Sequence, residues 1–463
     1  MQHFEVLVIG SGPAGQQAAI QASTLGKSVG IVERKPRIGG AGLRTGTIPS
    51  KALREIAYLA SRQGQRGMRE ALSSGRQPGI ELLGEAIRKK DMVIAQQESV
   101  ILSRLMLSGV PLIPGEAHFI DEHTLGVKTL QGETARYSVD VIVLATGSRP
   151  RRPPEVPFDK KTVLDSTSIL NLRELPSSLT VVGGGVIACE FASFFAALGA
   201  KVTIVDSHEQ ILSYLSVDIV EALSDAMRMM GIEFLMQCRV KNIVHEQGRV
   251  RASLENGSAI VSDCLLFAQG REPNYEHLNI ECAGLAAEDQ GWIPVNEHFQ
   301  THRPHIYAVG DLIGKPALAS TGMEQGRLAV QHAFGSVESK QSRQLPMAIY
   351  TIPELSYVGK TERQLRSEGA DYVVGRGYFR DSARGQIIGD QSGLLKMLVE
   401  RKTRHVLGIH IVGESASELV HIGQLIMNLG GTVDDLVENV FNYPTLAECY
   451  KIAAQECVRS LQS

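Results

Sequence analysis

One local pattern occurs twice in this chain, and it restricts the possible folds more than any other feature. FEVLVIGSGPAGQQAAIQASTLGKSVGIVER, residues 4–34, reads as a strand, a glycine turn, a helix and a second strand. Phe4 to Ile9 is a short apolar, β-branched run, and Ala14 to Leu25 has a small-residue face suited to close packing on a sheet. Gly10, Gly12 and Gly15 form a GxGxxG turn, and Glu33 stands 18 residues after Gly15 at the end of the second strand. Backbone amides at a helix N-terminus can hold a pyrophosphate, and a carboxylate at this spacing can accept hydrogen bonds from a ribose diol. The pattern returns 173 residues after Gly10, in SLTVVGGGVIACEFASFFAALGAKVTIVD. There Gly183, Gly185 and Ala188 form GxGxxA, and Asp206 follows 18 residues after Ala188. Two dinucleotide folds in one chain are expected, each closed by a similar later turn: LATGSRP around Gly147 and FAQGREP around Gly270.

The 463 residues are enough for about three or four compact units. With 47 basic and 50 acidic residues the net charge is −3, so no global basic field invites nucleic acid or an anionic membrane. No run of eighteen apolar residues occurs, and MQHFEVLVIG lacks the order of a signal peptide. A soluble, cytoplasmic protein is expected. The cysteines, Cys189, Cys238, Cys264, Cys282, Cys449 and Cys457, are scattered, with no CxxC pair and no pattern of metal ligands. They are expected to be free, mostly buried thiols, with no metal centre.

Between the two fingerprints, Ala52 to Ser108 reads as helical with a break near Gly75 to Gly79, and Val110 to Val143 as several short strands. The arginines between Arg62 and Arg76 read as a solvated insertion, and residues 150–157, rich in proline and arginine, as a linker. After Gly270 a strand ends at Gly310 and Asp311, and a helix starts near Ser320. Beyond residue 345 the expected strands are Ala348 to Thr351, Leu355 to Val358, Lys396 to Val399 and Val406 to Val412. The expected helices there are Ala416 to Asn428 and Thr445 to Leu461.

Gly10 to Gly15, GTIPSKALR, Gly147, the second fingerprint, AVGD at Ala308 to Asp311 and FNYPTLAE together resemble the pyridine nucleotide–disulfide oxidoreductases over nearly the whole chain. TIPELSYVGKTE, GIHIVGESASELVHIGQ and FNYPTLAE are similar in order and spacing to the soluble NAD(P) transhydrogenase branch of that family. The resemblance implies an α/β fold with two Rossmann-like domains, for FAD and NAD(P), and an α+β dimerisation domain at the C-terminus. Its division would be 1–150 (FAD-binding, first part), 151–272 (NAD(P)-binding), 273–344 (central, completing the FAD site) and 345–463 (interface). A homodimer is implied, with higher assembly of such dimers left open.

Disulfide members place two redox cysteines in GGxCxxxGCxPSK. Here Gly39 to Lys51 fills that stretch, and the two cysteine positions are Gly42 and Thr47. The transhydrogenase branch often keeps the first cysteine and has threonine at the second, so Gly42 departs from both patterns. No redox disulfide can form there. The histidine that precedes the proline of HPTxxE in disulfide members is Tyr443 here, followed by Pro444, Thr445 and Glu448. Tyr443 is read as a ring packed at a dimer interface, with a direct chemical role as the alternative.

By resemblance, Lys51 lies near flavin N5 and pairs with Glu190. Gly40, Thr47, Gly310 and Asp311 join the first fingerprint, Glu33 and Gly147 around FAD, and the helix from Ser320 points its amide end at the flavin. Gly183, Gly185, Asp206 and Gly270 serve NAD or NADP. Asp206 suits the free 2′-hydroxyl of NAD and should repel a 2′-phosphate, for which His208 is the nearest compensating donor. The implied reaction is NADPH + NAD+ giving NADP+ + NADH, ping-pong through flavin N5. An NAD(P)H dehydrogenase reducing quinone, dye or oxygen, and a non-enzymatic flavoprotein, are the competing readings.

Overall fold

A computed structural model describes residues 1–62, 78–129, 131–335 and 344–462. Apart from Arg62, the insertion read between Arg62 and Arg76 lies outside the described residues, as do positions 75–77 of the expected helix break. The chain divides into two compact units: residues 1–52, 87–151 and 270–341, and residues 53–86, 152–269 and 342–463.

In the first unit the strand Gln2–Ile9 sits mid-sheet, parallel to Val29–Glu33 on one side and to Thr134–Leu144 on the other. Leu112–Pro114 extends the sheet beyond Val29–Glu33, and Ile306–Ala308 pairs in parallel with the last residues of Thr134–Leu144. The first residues of that long strand pair antiparallel with Thr124–Lys128, which pairs with Glu116–Phe119. Alternation explains why Val6 to Ile9, buried on both faces, are all apolar. Val6 and Val8 face one core with Ala18, Ala22 and Leu328 from helices Pro13–Thr24 and Ala319–Ala333. Leu7 and Ile9 face the other, with Phe119, Leu125 and Ile142. Each fully buried side chain of this size contributes about 2 kcal/mol, which favours apolar residues where a strand is buried on both faces.

The second unit repeats the arrangement. Its five-stranded parallel sheet runs Glu233–Leu235, Lys201–Val205, Ser178–Val182, Cys264–Phe267, Val163–Leu164. A three-stranded antiparallel sheet, Val240–Glu246, Arg249–Leu254 and Ala259–Ser262, follows it. The same unit holds an antiparallel sheet in the order Met347–Ile349, Leu355–Gly359, Val406–Val412, Leu394–Glu400, Tyr372–Tyr378. Helices Ala416–Asn428 and Glu448–Gln462 pack with it around a core that includes Ile409, Ile411, Tyr450 and Ala453.

Several expectations shift. The first long helix is Thr47–Arg62, starting five residues before Ala52, and a second spans Pro78–Leu107. The last helix starts at Glu448, not Thr445, because the Glu448 carboxylate turns back to the Thr445 N–H (3.4 Å) and the Thr445 hydroxyl bonds Asn442 O (2.7 Å). Pro150 is not in a linker. It ends the strand Ser148–Pro150, which pairs antiparallel with Arg271–Pro273, so the two similar closing turns pair with each other.

Candidate active site

Both fingerprints are built the same way. Gly10 and Gly183 have φ of +109° and +116°, in the left-handed region that favours glycine. A Cβ on Gly10 would stand 2.4 Å from Ala145 O, and one on Gly183 would stand 2.8 Å from Ala268 O. Gly10 N–H donates to Val32 O at 2.9 Å and Gly183 N–H to Val205 O at 2.8 Å. Gly15 lets its helix reach the turn: a Cβ there would lie 2.0 Å from Gly10 O.

Gly12 does something different. A Cβ on it would meet no atom closer than Gly40 Cα at 3.9 Å, and no side chain caps the helix it starts. Gly185 is likewise open, with nothing within 4 Å. In each unit the first turn of the helix therefore faces a space that no side chain of the described residues fills, as a pyrophosphate requires. Gly40, at φ +56°, closes on Gly12 so tightly that its Cβ would be 2.7 Å from Gly12 Cα.

The acids also correspond. Glu33 Oε2 accepts from Ser11 N–H (3.1 Å) and the Ser11 hydroxyl (2.5 Å), and Asp206 Oδ2 accepts from Gly184 N–H (2.5 Å). Sequence reasoning missed Ser11 and Gly184. Their signal was position, since each is the second residue of its fingerprint.

Around the first fingerprint, Gly310 packs on Ala14, and its N–H donates to the buried Gln325 Oε1 at 2.8 Å. Asp311 accepts from the Ser148 hydroxyl at 2.7 Å, and Arg271 donates to that hydroxyl at 2.8 Å and to Ser148 O at 2.9 Å. The turn after Gly147 (φ +68°) thus reaches Asp311 through Ser148. The first unit brings together Gly10, Gly12, Gly15, Glu33, Gly40, Thr47, Lys51, Gly147, Gly310 and Asp311; Gly270 also belongs to it. The open Gly12 cradle, the strand-end acid and the bonded Asp311 fit a dinucleotide such as FAD.

Gly42 lies on the short helix Gly40–Arg44, and a Cβ there would stand 2.8 Å from Pro13 Cγ. A side chain at this position needs the fingerprint's own proline to move. Thr47 and Lys51 are on helix Thr47–Arg62, with Lys51 Nζ 3.3 Å from Ser50 Oγ. In the second unit Glu190 is buried on helix Val186–Ala197, where its Oε1 accepts from Tyr350 N–H at 2.9 Å. One turn on, Ser193 Oγ accepts from Ile352 N–H at 3.2 Å. The turn they hold is tied again by Arg54, which donates to Thr351 O (3.2 Å) and pairs with Glu354 (3.2 Å). Tyr443 is 75% exposed.

Four of the six thiols are held protonated by burial. Burial pushes the Cys189 thiol far up, Cys449 and Cys457 up to about 12 and Cys264 up to about 11, so all four stay protonated at neutral pH. Cys282 is exposed and Cys238 partly so.

Residues 4–326 match the model of the pyridine nucleotide-disulphide oxidoreductases, and residues 345–454 match that family's dimerisation domain. The chain belongs to this family. It is thus an oxidoreductase that uses FAD and pyridine nucleotides, and it carries a dimerisation domain. It is 44% identical to a soluble pyridine nucleotide transhydrogenase from Mycobacterium bovis, over 100% of this chain and 99% of the relative. It is 40% identical to one from Photorhabdus laumondii, over 98% and 97%. Among solved structures it resembles the HOCl-induced flavoprotein disulfide reductase RclA from Escherichia coli. That match has a TM-score of 0.87 and 28% identity, and covers 97% of this chain and 99% of the other. Like these family members it is mixed α/β, and among its described residues no helix is long and apolar enough to cross a membrane.

Proposed function

We propose that this oxidoreductase is a soluble pyridine nucleotide transhydrogenase, catalysing NADPH + NAD+ → NADP+ + NADH. One observation carries the reading: both dinucleotide cradles are complete, while Gly42 and Thr47 stand where a disulfide reductase needs its two cysteines. The reaction balances without a thiol or a net proton, since the hydride leaving one nicotinamide C4 arrives at another. Bound FAD supplies the chemistry that links them, reversible two-electron acceptance at N5.

The chain's own residues bind, orient and bias charge. Gly12 and Gly185 leave room for the pyrophosphates, and Glu33 and Asp206 face the riboses. Asp311, fixed by Ser148, holds the far part of FAD with Gly310, Gly147 and Gly40. With FAD bound, Lys51 would supply a cation, and helix Ala319–Ala333 the positive end of its dipole, to stabilise negative charge on the flavin. Glu190, oriented by Tyr350 N–H, is the buried acid of the second unit, and Thr47 fills the second cysteine position. Tyr443 and Glu448 shape the end of the interface domain. With Leu429 (82% exposed) and Val440 (91% exposed), Tyr443 gives that domain an apolar surface suited to a second copy, and the active form in this reading is a cytoplasmic homodimer. Residues 1–150, 151–272, 273–344 and 345–463 then act as FAD, NAD(P), central and interface domains.

The test is anaerobic oxidation of NADPH with thio-NAD+ or a quinone as acceptor, on protein whose mass is measured by light scattering. Reduced thionicotinamide from a dimer is expected. Quinone reduction without any thionicotinamide product would assign the chain to the NAD(P)H dehydrogenases, and a monomer would contradict the dimer.

A further inference from the structure

The two cradles differ in what stands two residues after the acid. In both, the backbone there donates to the carboxylate: Lys35 N–H to Glu33 at 2.8 Å, His208 N–H to Asp206 at 2.7 Å. In the second cradle the side chain also turns back, placing His208 Nδ1 2.5 Å from Asp206 Oδ1. Asp206 is 8% exposed, and its other oxygen already accepts from Gly184 N–H. The imidazole, by contrast, has a side chain 63% exposed. With Nδ1 committed to the carboxylate, Nε2 is the nitrogen left to meet a ligand.

We propose that the Asp206–His208 pair makes the choice between NAD and NADP depend on a proton. With a neutral ring, the site offers a carboxylate and an acceptor nitrogen, which suit a ribose 2′-hydroxyl and repel a 2′-phosphate. With a protonated ring, the charge of Asp206 is cancelled and Nε2–H becomes a cationic donor for the phosphate. The same two side chains can then serve both substrates of a transhydrogenase, and the inference rests on that reading of the chain.

Other charged and titratable groups stand on the segments beside the ring. Glu209 follows on the same loop. The neighbouring turn bonds back through Gln237 N–H to His208 O (2.9 Å) and Cys238 N–H to Asp206 O (2.9 Å), and carries Cys238 and Arg239. The loop at Gly183 to Gly185 has no titratable side chain. Of the side chains around Asp206, an imidazole is the one that ordinarily changes charge between about pH 5 and 8.

The experiment is calorimetric titration of the FAD-loaded protein with NAD+ and with NADP+ from pH 6 to 8.5, in buffers of different ionisation enthalpy, repeated on His208→Gln. Between pH 6 and 8 the affinity for NADP+ should weaken on the order of tenfold more than that for NAD+, with net proton uptake on NADP+ binding. A 2′-phosphate has its own ionisation near pH 6. His208→Gln should therefore keep only that part of the slope and bind NADP+ weakly throughout. Parallel pH profiles for the two nucleotides, or an unchanged NADP+ slope in His208→Gln, would overturn the inference. Binding of NAD+ with no NADP+ binding at any pH would overturn it too, while leaving the dinucleotide site intact. Binding of neither would overturn both the site and the inference.

Discussion

Gly12→Ala and Gly15→Ala should both lose FAD, but for different reasons that thermal unfolding separates. The Gly15 methyl would lie 2.0 Å from Gly10 O, a backbone atom that cannot step aside, so the helix must lift from the sheet. Overpacking of this kind costs about 1–3 kcal/mol, enough to weaken FAD binding roughly 5- to 150-fold if the strain falls on the cradle. The variant should unfold several degrees below the parent. The Gly12 methyl has 3.9 Å to its nearest neighbour and strains nothing, but it stands in the space cleared for the pyrophosphate. Gly12→Ala should therefore keep the apoprotein's melting temperature and still purify with a reduced flavin-to-protein absorbance ratio. Normal FAD content in both variants would show that the cradle lies elsewhere.

Lys396→Met should strongly destabilise the second unit. Lys396, on strand Leu394–Glu400, is 0% exposed, and its ammonium lies 2.7 and 2.8 Å from the two oxygens of Asp218 and against Glu362. Arg376 adds a contact to Asp218 at 3.3 Å. Removing the cation leaves two carboxylates in a partly buried place, at a cost of about 3 kcal/mol. The pH dependence has a definite sign. Burial pushes the Asp218 and Glu362 carboxyls up, but Lys396 outweighs it, aided by Arg376 at Asp218 and by Tyr372 at Glu362, and both end below their ordinary values. The stabilisation is present above the ordinary carboxylate range, near pH 4, and is lost as pH falls through the depressed values. The stability gap between Lys396→Met and the parent, measured by denaturant unfolding, should be full at pH 7 and shrink below about pH 4. A gap that does not change with pH would mean that the defect is one of packing.

The parts of the fold legible in the sequence are those whose cause is local. Gly10 and Gly183 need positive φ, and Gly15 needs contact with a carbonyl five residues back, so both fingerprints can be read from short windows. Helix Ala416–Asn428 was readable to the residue from its periodicity. Strand Tyr372–Tyr378, YVVGRGY, escaped because two interior glycines weaken a strand pattern. The structure supplies the reason: a Cβ on Gly375 would lie 2.0 Å from Ala453 O, and one on Gly377 2.4 Å from Cys449 O, so the last helix rests on bare backbone. The Asp218–Lys396 pair joins residues 178 positions apart, and each alone is an ordinary surface charge in the sequence. His208 was visible only as a neighbour of Asp206; that its ring folds onto the carboxylate is a property of the turn.

Within the site, the absent cysteines were the most informative reading. Their positions come from one motif, and the contact between Gly42 and Pro13 adds a physical cost to restoring the first of them. The disulfide reductase RclA shares the fold, so architecture does not separate the two chemistries; in the proposed reading the residues at 42 and 47 do.

In the proposed reaction, electrons leave by the same kind of molecule that brought them. Rapid mixing tests it directly: the oxidised protein is reduced anaerobically with one equivalent of NADPH, then mixed with NAD+. The flavin absorbance should fall in the first step and return fully in the second, with one NADH formed per flavin and no new titratable thiol. A reduced protein that NAD+ cannot reoxidise, or one that turns over lipoamide, would contradict the account.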